Sequence, residues 1–300
     1  MKVKLLQPQG YCAGVTRALT LCQRSLSDPN IAKPIYILGN IIHNKKVVSD
    51  LTKQGIISIN TPNQTRLQLL DQINHGSVII SAHGASNKVI EKALSKGLNV
   101  IDATCIDVLK IQNTILNFIN SSTCHYVIYI GILNHPEAEG ILGISNKICL
   151  FDYNTPLITP EMSSILNNKH NQVLVCNQTT LSVFDIINHY EVIKSNANDN
   201  IIIKNEICKA TTLRQEAVNS IEDCDLLYVV GDKLSSNSNK LVEIGLKKNI
   251  KTILLEKLND IDLYDLTIAT SIGITSGAST PKEITLEIYN FINNFKKSNN

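Results

Sequence analysis

Tryptophan is absent from this 300-residue chain, and Phe, Trp and Tyr together make up only 5% of it. That argues against a surface built to stack nucleic-acid bases. No apolar run reaches the ~18 residues a membrane-spanning helix needs; the longest, such as 126–133, are strand-sized. The N-terminus, MKVKLLQPQG, has too short an apolar segment for a signal peptide. Charge of one sign is lacking too: 28 Lys+Arg against 26 Asp+Glu leaves +2, with no basic block dense enough for a nucleic-acid footprint. There is no P-loop, no G-x-G-x-x-G fingerprint and no paired C-x-x-C, so neither nucleotide binding nor a closed zinc site is indicated. A cytosolic protein without nucleic-acid or membrane partners is expected.

What is present is ordinary globular material, 43% hydrophobic and 18% charged, long enough to bury cores without disulfides. The eight cysteines are expected as thiols. Cys22, Cys124, Cys149, Cys176 and Cys224 lie in or beside apolar segments and read as small buried hydrophobes. Short apolar runs alternate with amphipathic stretches, which predicts an α/β fold of mainly parallel sheets with crossover helices. Strands are expected over 2–6, 35–38, 78–80, 100–101, 126–130, 173–175, 201–203, 226–230 and 268–272. Asn-rich loops are expected near 167–171 and 195–200.

A threefold repeat appears when strand ends are compared. KVKLLQPQGYCAGVTRALTLC, NVIDATCIDVLKIQNTIL and IIIKNEICKATTLRQEAVNSI share the order strand, cysteine, helix. Each is followed by a strand ending in glycine and a polar loop, in YILGNIIHN, IYIGILNHPE and YVVGDKLSSNS, then by a small-residue loop, in VIISAHGAS, VLVCNQTTLS and IGITSGAST. Three similar domains are expected: 13–104, 105–200 and 201–290, the last joined by the N-terminal strand 1–12, with a polar tail over 291–300. Functional loops follow the carboxyl ends of parallel strands, so a pseudo-threefold arrangement would turn them toward one central cleft.

Cys12, Cys105 and Cys208 occupy equivalent repeat positions. Three converging thiolates make a soft trigonal site suited to zinc or an iron–sulfur cluster. A cubane held by three cysteines leaves one iron open to substrate. His43, His83 and His135, with Ser235, Asn237 and Ser279, are donors on the remaining strand-end loops, where helix N-termini favour a phosphate or diphosphate. The other histidines, His75, His125, His170 and His189, read as surface or core residues. Glu137, in the HPE turn, is a carboxylate in a polar strand-end loop of this set, suited to donate a proton; the alternative is a helix N-terminal Glu serving the dipole.

The set GYCAGVTRAL, HNKKVV, SAHGAS, DATC, HPEAEG, QTTLS, ICKATTLRQ, SSNSNKL and SGASTP resembles the 4-hydroxy-3-methylbut-2-enyl diphosphate reductase (LytB) family, in order, from Cys12 to about Pro281. The resemblance implies three α/β domains around a central cluster and removal of an allylic hydroxyl with two electrons and two protons. The products implied are isopentenyl and dimethylallyl diphosphates, at the end of the methylerythritol phosphate route. It implies Cys12, Cys105 and Cys208 as ligands of a [4Fe–4S] cluster with one open iron, observable as [3Fe–4S] when the labile iron is lost. It further implies His43, His83, His135, Ser235, Ser236, Asn237 and Ser279 as diphosphate-binding positions, Glu137 as proton donor and Thr179 beside the substrate hydroxyl.

The departures from the family pattern are Ile106 after the second cysteine, Ile132 after the second strand-end glycine, Lys209 after the third cysteine and Leu234 before the SSNS loop. None removes a ligand or catalytic group. An external electron donor is implied, a ferredoxin or flavodoxin. Two other readings remain at this point. One is a quinolinate synthase-like cluster enzyme, whose loops would be expected to carry arginine for carboxylates. The other is a non-enzymatic cluster sensor, which would need a DNA- or partner-binding segment.

Overall fold

The computed structural model describes residues 1–61 and 64–295. Its strands are β1 (Lys2–Leu5), β2 (Ile35–Leu38), β3 (Ile56–Ile59), β4 (Ser77–Ile80), β5 (Asn99–Asp102), β6 (His125–Gly131), β7 (Ile148–Asp152), β8 (Gln172–Asn177), β9 (Ile201–Ile203), β10 (Leu226–Val230), β11 (Lys251–Leu255) and β12 (Ser271–Ser276). They form three four-stranded sheets, ordered β1-β12-β10-β11, β3-β2-β4-β5 and β7-β6-β8-β9. Among the described residues all the strand pairings are parallel. Among the described residues no helix is long and apolar enough to cross a membrane. The chain divides into two compact units, one of Met1–Val15, His43–Lys45 and Cys208–Asn300, the other of Thr16–Ile42 and Lys46–Ile207.

The first unit holds the β1-β12-β10-β11 sheet. Along β10 the side chains alternate between two cores: Leu226, Tyr228 and Val230 join Ile272, Ile274 and Ile288, while Leu227 and Val229 join Leu6, Val218 and Leu241. A strand buried on both faces must read as a continuous apolar run, and LLYVV does. β1 enters beside β12 with Lys2 opposite Ser271. The strand expected over 268–272 begins later, because Leu263–Ile268 is a helix. The Asp225 carboxylate accepts from Thr270 N (2.8 Å), Thr270 Oγ1 (2.7 Å) and Ser271 N (3.1 Å), and so fixes the turn between them.

The second unit holds the other two sheets. In β6, Ile128 and Ile130 face one core with Val173 and Val175, and Val127 and Tyr129 face another with Leu174 and Cys176. β9 pairs with β8 at this sheet's edge, and Lys204 N donates to Val175 O at 2.8 Å. Residues 201–204 therefore pack with the second repeat, although the sequence boundary fell before them. At the other end of the chain, the helix Lys282–Asn294 runs into the expected tail, of which 296–300 lie outside the described residues.

β3, β7 and β11, which no run in the sequence singled out, are each one of the two edge strands of a sheet. Glycines end the strands β2, β6 and β10 or follow them directly, for different reasons. Gly39 takes φ +79°, a left-handed conformation that side chains rarely adopt. At Gly231 a Cβ would stand 2.2 Å from Ser238 Oγ.

One side chain fixes two functional loops of the second unit. Arg66 follows a Thr65–Gln68 capping box and is 5% exposed. Its Nη1 donates to Gly84 O and to Pro136 O (3.2 Å), its Nη2 to Ser81 Oγ (3.1 Å), and its main-chain N to Glu139 Oε1 (2.9 Å). Burial lowers its pKa to about 10, which leaves it charged at neutral pH. Arg66→Leu should cost about 2–4 kcal/mol, because three carbonyl or hydroxyl acceptors lose a charged donor. Urea unfolding followed by circular dichroism measures this, and Arg66→Lys should recover part of the loss.

Candidate functional site

In the second unit, the loop after β6 opens the helix Pro136–Leu142. Proline suits the first helical position because its missing N–H would have no intrahelical partner there. His135 is the N-cap, and its Nδ1 accepts from Glu137 N at 3.1 Å. In the neutral ring the proton then resides on Nε2. Glu137 is 1% exposed. Its Oε1 accepts from Tyr129 Oη (3.0 Å) and Thr179 N (2.9 Å), and its Oε2 from Thr179 Oγ1 (2.7 Å). Burial pushes its pKa up to about 6; the Thr179 and Tyr129 hydrogen bonds oppose the rise and Asp107 adds to it. Burial and the Glu137 charge raise Tyr129 well above its ordinary range, so the phenol stays protonated.

His83 lies in the loop after β4, and its ring meets that of His135 edge-on, with centroids 5.6 Å apart. Arg66 holds both loops. Gly84 takes φ +76°, and a Cβ there would stand 3.0 Å from Thr104 Cγ2. Cys105 is tied to the same loop, since its N–H donates to Ala82 O at 2.9 Å. It is the N-cap of the helix Ile106–Asn120. The segment before it is held by Arg17, whose Nη1 donates to Thr104 O (2.7 Å) and Nη2 to Asp102 O (3.1 Å).

The first unit carries the remaining residues. Cys12 directly precedes the helix Ala13–Ser27, and its N–H donates to Ala278 O at 3.1 Å. Ser279 Oγ donates to His43 O at 3.1 Å, so this serine positions the histidine's main chain. Cys208 caps the helix Lys209–Asn219, with its Sγ 3.2 Å from Thr211 Oγ1. Asn237 Nδ2 donates to the same hydroxyl at 3.4 Å. Ser235 caps the helix Ser236–Lys247, accepting from Ser238 N at 3.3 Å. Ser235, Ser236 and Asn237 are all buried, and Asn237 Oδ1 has no hydrogen-bond partner among the described residues. A buried helix N-terminus of this kind presents dipoles to an anion.

Thus Glu137 and Thr179 come together, as do His83 and His135, and the Cys12, His43 and Ser279 segments are joined through main-chain carbonyls. All eight cysteines are thiols. Burial raises Cys22 to about 12 and Cys149 to about 11, and raises Cys176 and Cys224 as well. Cys124 departs from the expected burial: it is exposed, in the turn before β6. Cys12, Cys105 and Cys208 are half-buried, each at a helix N-terminus. That donor set fits a soft cluster.

Sequence reasoning missed Tyr129, Arg66, Arg17 and Arg214. The last two had a signal, because Arg17 and Arg214 lie five and six residues after repeat cysteines. Arg66 and Tyr129 had none.

The LytB protein family model matches residues 3–293. The 4-hydroxy-3-methylbut-2-enyl diphosphate reductase of Anoxybacillus flavithermus is 37% identical over 100% of this chain and 92% of its own length. The protein of the same name from Bacillus cytotoxicus is 39% identical with the same coverage. Among solved structures, the E-1-hydroxy-2-methyl-but-2-enyl-4-diphosphate reductase of Plasmodium falciparum superposes with a TM-score of 0.84 at 32% identity, covering 98% of this chain and 88% of that one. An (E)-4-hydroxy-3-methyl-but-2-enyl diphosphate reductase gives 0.67 at 28% identity, covering 98% and 100%. With a family match over nearly all of its length and relatives this similar, the chain belongs to the LytB family.

Proposed function

We propose that this chain reductively dehydroxylates (E)-4-hydroxy-3-methylbut-2-enyl diphosphate to isopentenyl diphosphate and dimethylallyl diphosphate, the last step of the methylerythritol phosphate route. Membership of the family and the names of its relatives support the reaction. The observation that carries the chemistry is the buried Glu137 carboxyl, bonded to Thr179 and raised to about 6.

Cys12, Cys105 and Cys208 would hold a [4Fe–4S] cluster with one iron lacking a protein ligand. When bound, such a cluster supplies electrons one at a time and a Lewis-acidic iron for carbon–oxygen cleavage. An external reductant of the ferredoxin or flavodoxin kind feeds it. His43, His83, His135, Ser235, Ser236, Asn237 and Ser279 anchor the diphosphate and so fix the carbon chain. Their loops use ring N–H groups, hydroxyls, an amide and helix N-termini rather than arginine forks, which suits a phosphate ester.

Glu137 holds the proton, and its location follows from the hydrogen bonds. Oε1 already accepts from Tyr129 and from Thr179 N, so the neutral acid carries its proton on Oε2, facing Thr179 Oγ1. The threonine hydroxyl then accepts that proton's hydrogen bond and turns its own O–H toward the substrate. Burial keeps water from competing for the acid. Protonation at either end of an allylic anion gives the two products.

Anaerobically prepared protein should contain iron and acid-labile sulfide. Cys12→Ser, Cys105→Ser and Cys208→Ser should each abolish the cluster's visible absorption, and Cys22→Ser should leave it. Zinc without sulfide would refute the cluster.

The role of Glu137 separates binding from chemistry. Glu137→Gln should retain cluster and substrate affinity but lose at least ~10²-fold in turnover. Wild-type kcat/KM should fall as pH rises through about 6, where the free enzyme loses the Oε2 proton. The same shift sets stability. Because the folded state holds this proton more tightly than the unfolded one, that contribution is complete below about 4.5 and lost as pH rises through about 6. Glu139 accepts from Arg66 N rather than lying free in solvent, and Gln can accept equally. Glu139→Gln should therefore stay within a few-fold of wild type (roughly,), and the reverse pattern would move the acid to Glu139.

A further inference from the structure

Arg214 lies on the helix Lys209–Asn219 and is 2% exposed. A guanidinium stays charged, and removing it from water costs several kcal/mol (order of magnitude,) unless an anion compensates. No carboxylate does so among the described residues. Its Nη1 donates to Ala210 O (3.0 Å) and its Nη2 to Gly10 O (2.6 Å), both neutral carbonyls. Its Nε is buried without a hydrogen-bond partner. Burial works against its charge, and the groups that act on it favourably are the side chains of Cys12 and Cys208. Both carbonyls lie two residues from those cysteines, Gly10 before Cys12 and Ala210 after Cys208. The guanidinium thus ties the two cysteine segments together and brings a buried positive charge to the main chain two residues from each cysteine.

The corresponding bases on the other cysteine helices are differently placed. Arg17 is exposed and binds only the carbonyls of Asp102 and Thr104. Lys110, five residues after Cys105, has a side chain 72% exposed and stands 3.9 Å from Glu206. Water screens both charges. Arg214 alone of these three bases is buried.

We propose that Arg214 is a positioning residue of the iron–sulfur site. It holds the Cys12 and Cys208 segments in register and offsets the negative charge of the cluster they bind, which raises the cluster's reduction potential. This rests on the cluster reading above. The sign follows from electrostatics: each electron added makes the thiolate-ligated cluster more negative, and a nearby buried positive charge favours the reduced state.

The test uses the anaerobically reconstituted full chain as wild type, Arg214→Met, Arg214→Lys and Arg24→Gln. The last removes one exposed positive charge in the final turn of Ala13–Ser27. Iron and sulfide are measured per chain, and the midpoint potential is read by mediated titration of the visible absorption. The expected result is a lower potential in Arg214→Met, recovery toward wild type in Arg214→Lys, and no shift in Arg24→Gln. A loaded Arg214→Met with the wild-type potential would overturn the proposal. If Arg214→Met assembles no cluster, Arg214→Lys decides: a loaded lysine variant near the wild-type potential supports the proposal, and an empty one overturns it. A wild-type chain without iron and sulfide overturns the cluster reading, and the role of Arg214 with it.

Discussion

Glu137 is taken out of water and then given three hydrogen bonds, and much of the second unit is arranged to make that possible. One donor comes from β6 itself, through Tyr129, and two come from Thr179 in the loop after β8. Because β6 and β8 are adjacent and parallel, their carboxyl ends lie side by side, and a residue two turns of chain beyond one strand reaches the loop beyond the other. Arg66 then locks the His135–Pro136 turn to the His83 loop. The hydrogen bonds that temper the rise caused by burial are therefore a property of strand order as much as of the residue.

The first unit handles charge differently. At the start of Ser236–Lys247 it presents buried hydroxyls and an amide. Arg214, buried in the same unit, donates instead to main-chain carbonyls two residues from Cys12 and Cys208. An anion held by dipoles is held without a full ionic bond, which suits an enzyme whose product carries the same diphosphate as its substrate.

Interior strands were legible because both faces are buried, which forces apolar runs such as VIYI and LLYVV. Of the edge strands, β7 and β11 were not, since Asp152 and Lys251 interrupt their apolar runs, and the four-residue β3 was passed over as well, whereas β1, β5 and β9 were legible. The start of β12 was misplaced because Ile268 is apolar but ends a helix, a distinction made by Asp225 from a distant position. Within the site, repeat register and motif resemblance picked out the cysteines, histidines and Glu137. Arg66 escaped notice because its partners lie 15 to 73 residues along the chain, and nothing local distinguishes it from a surface arginine. Tyr129 escaped because an interior strand tyrosine reads as packing until its hydroxyl is seen to meet Glu137.

The unequal hydrogen bonding of the two Glu137 oxygens has a stoichiometric consequence. The carboxyl stores one proton and has a single outlet, Oε2 toward Thr179, whereas the proposed reaction consumes two protons. Tyr129 cannot lend the second, because burial beside Glu137 holds its own proton fast. Either the store is refilled through the same threonine within a turnover, or the second proton enters from the substrate's side of that hydroxyl. In the first case Thr179 would be the narrowest point in the proton supply, and the occupant of the substrate position would control when the acid is recharged; in the second that position itself would admit the proton.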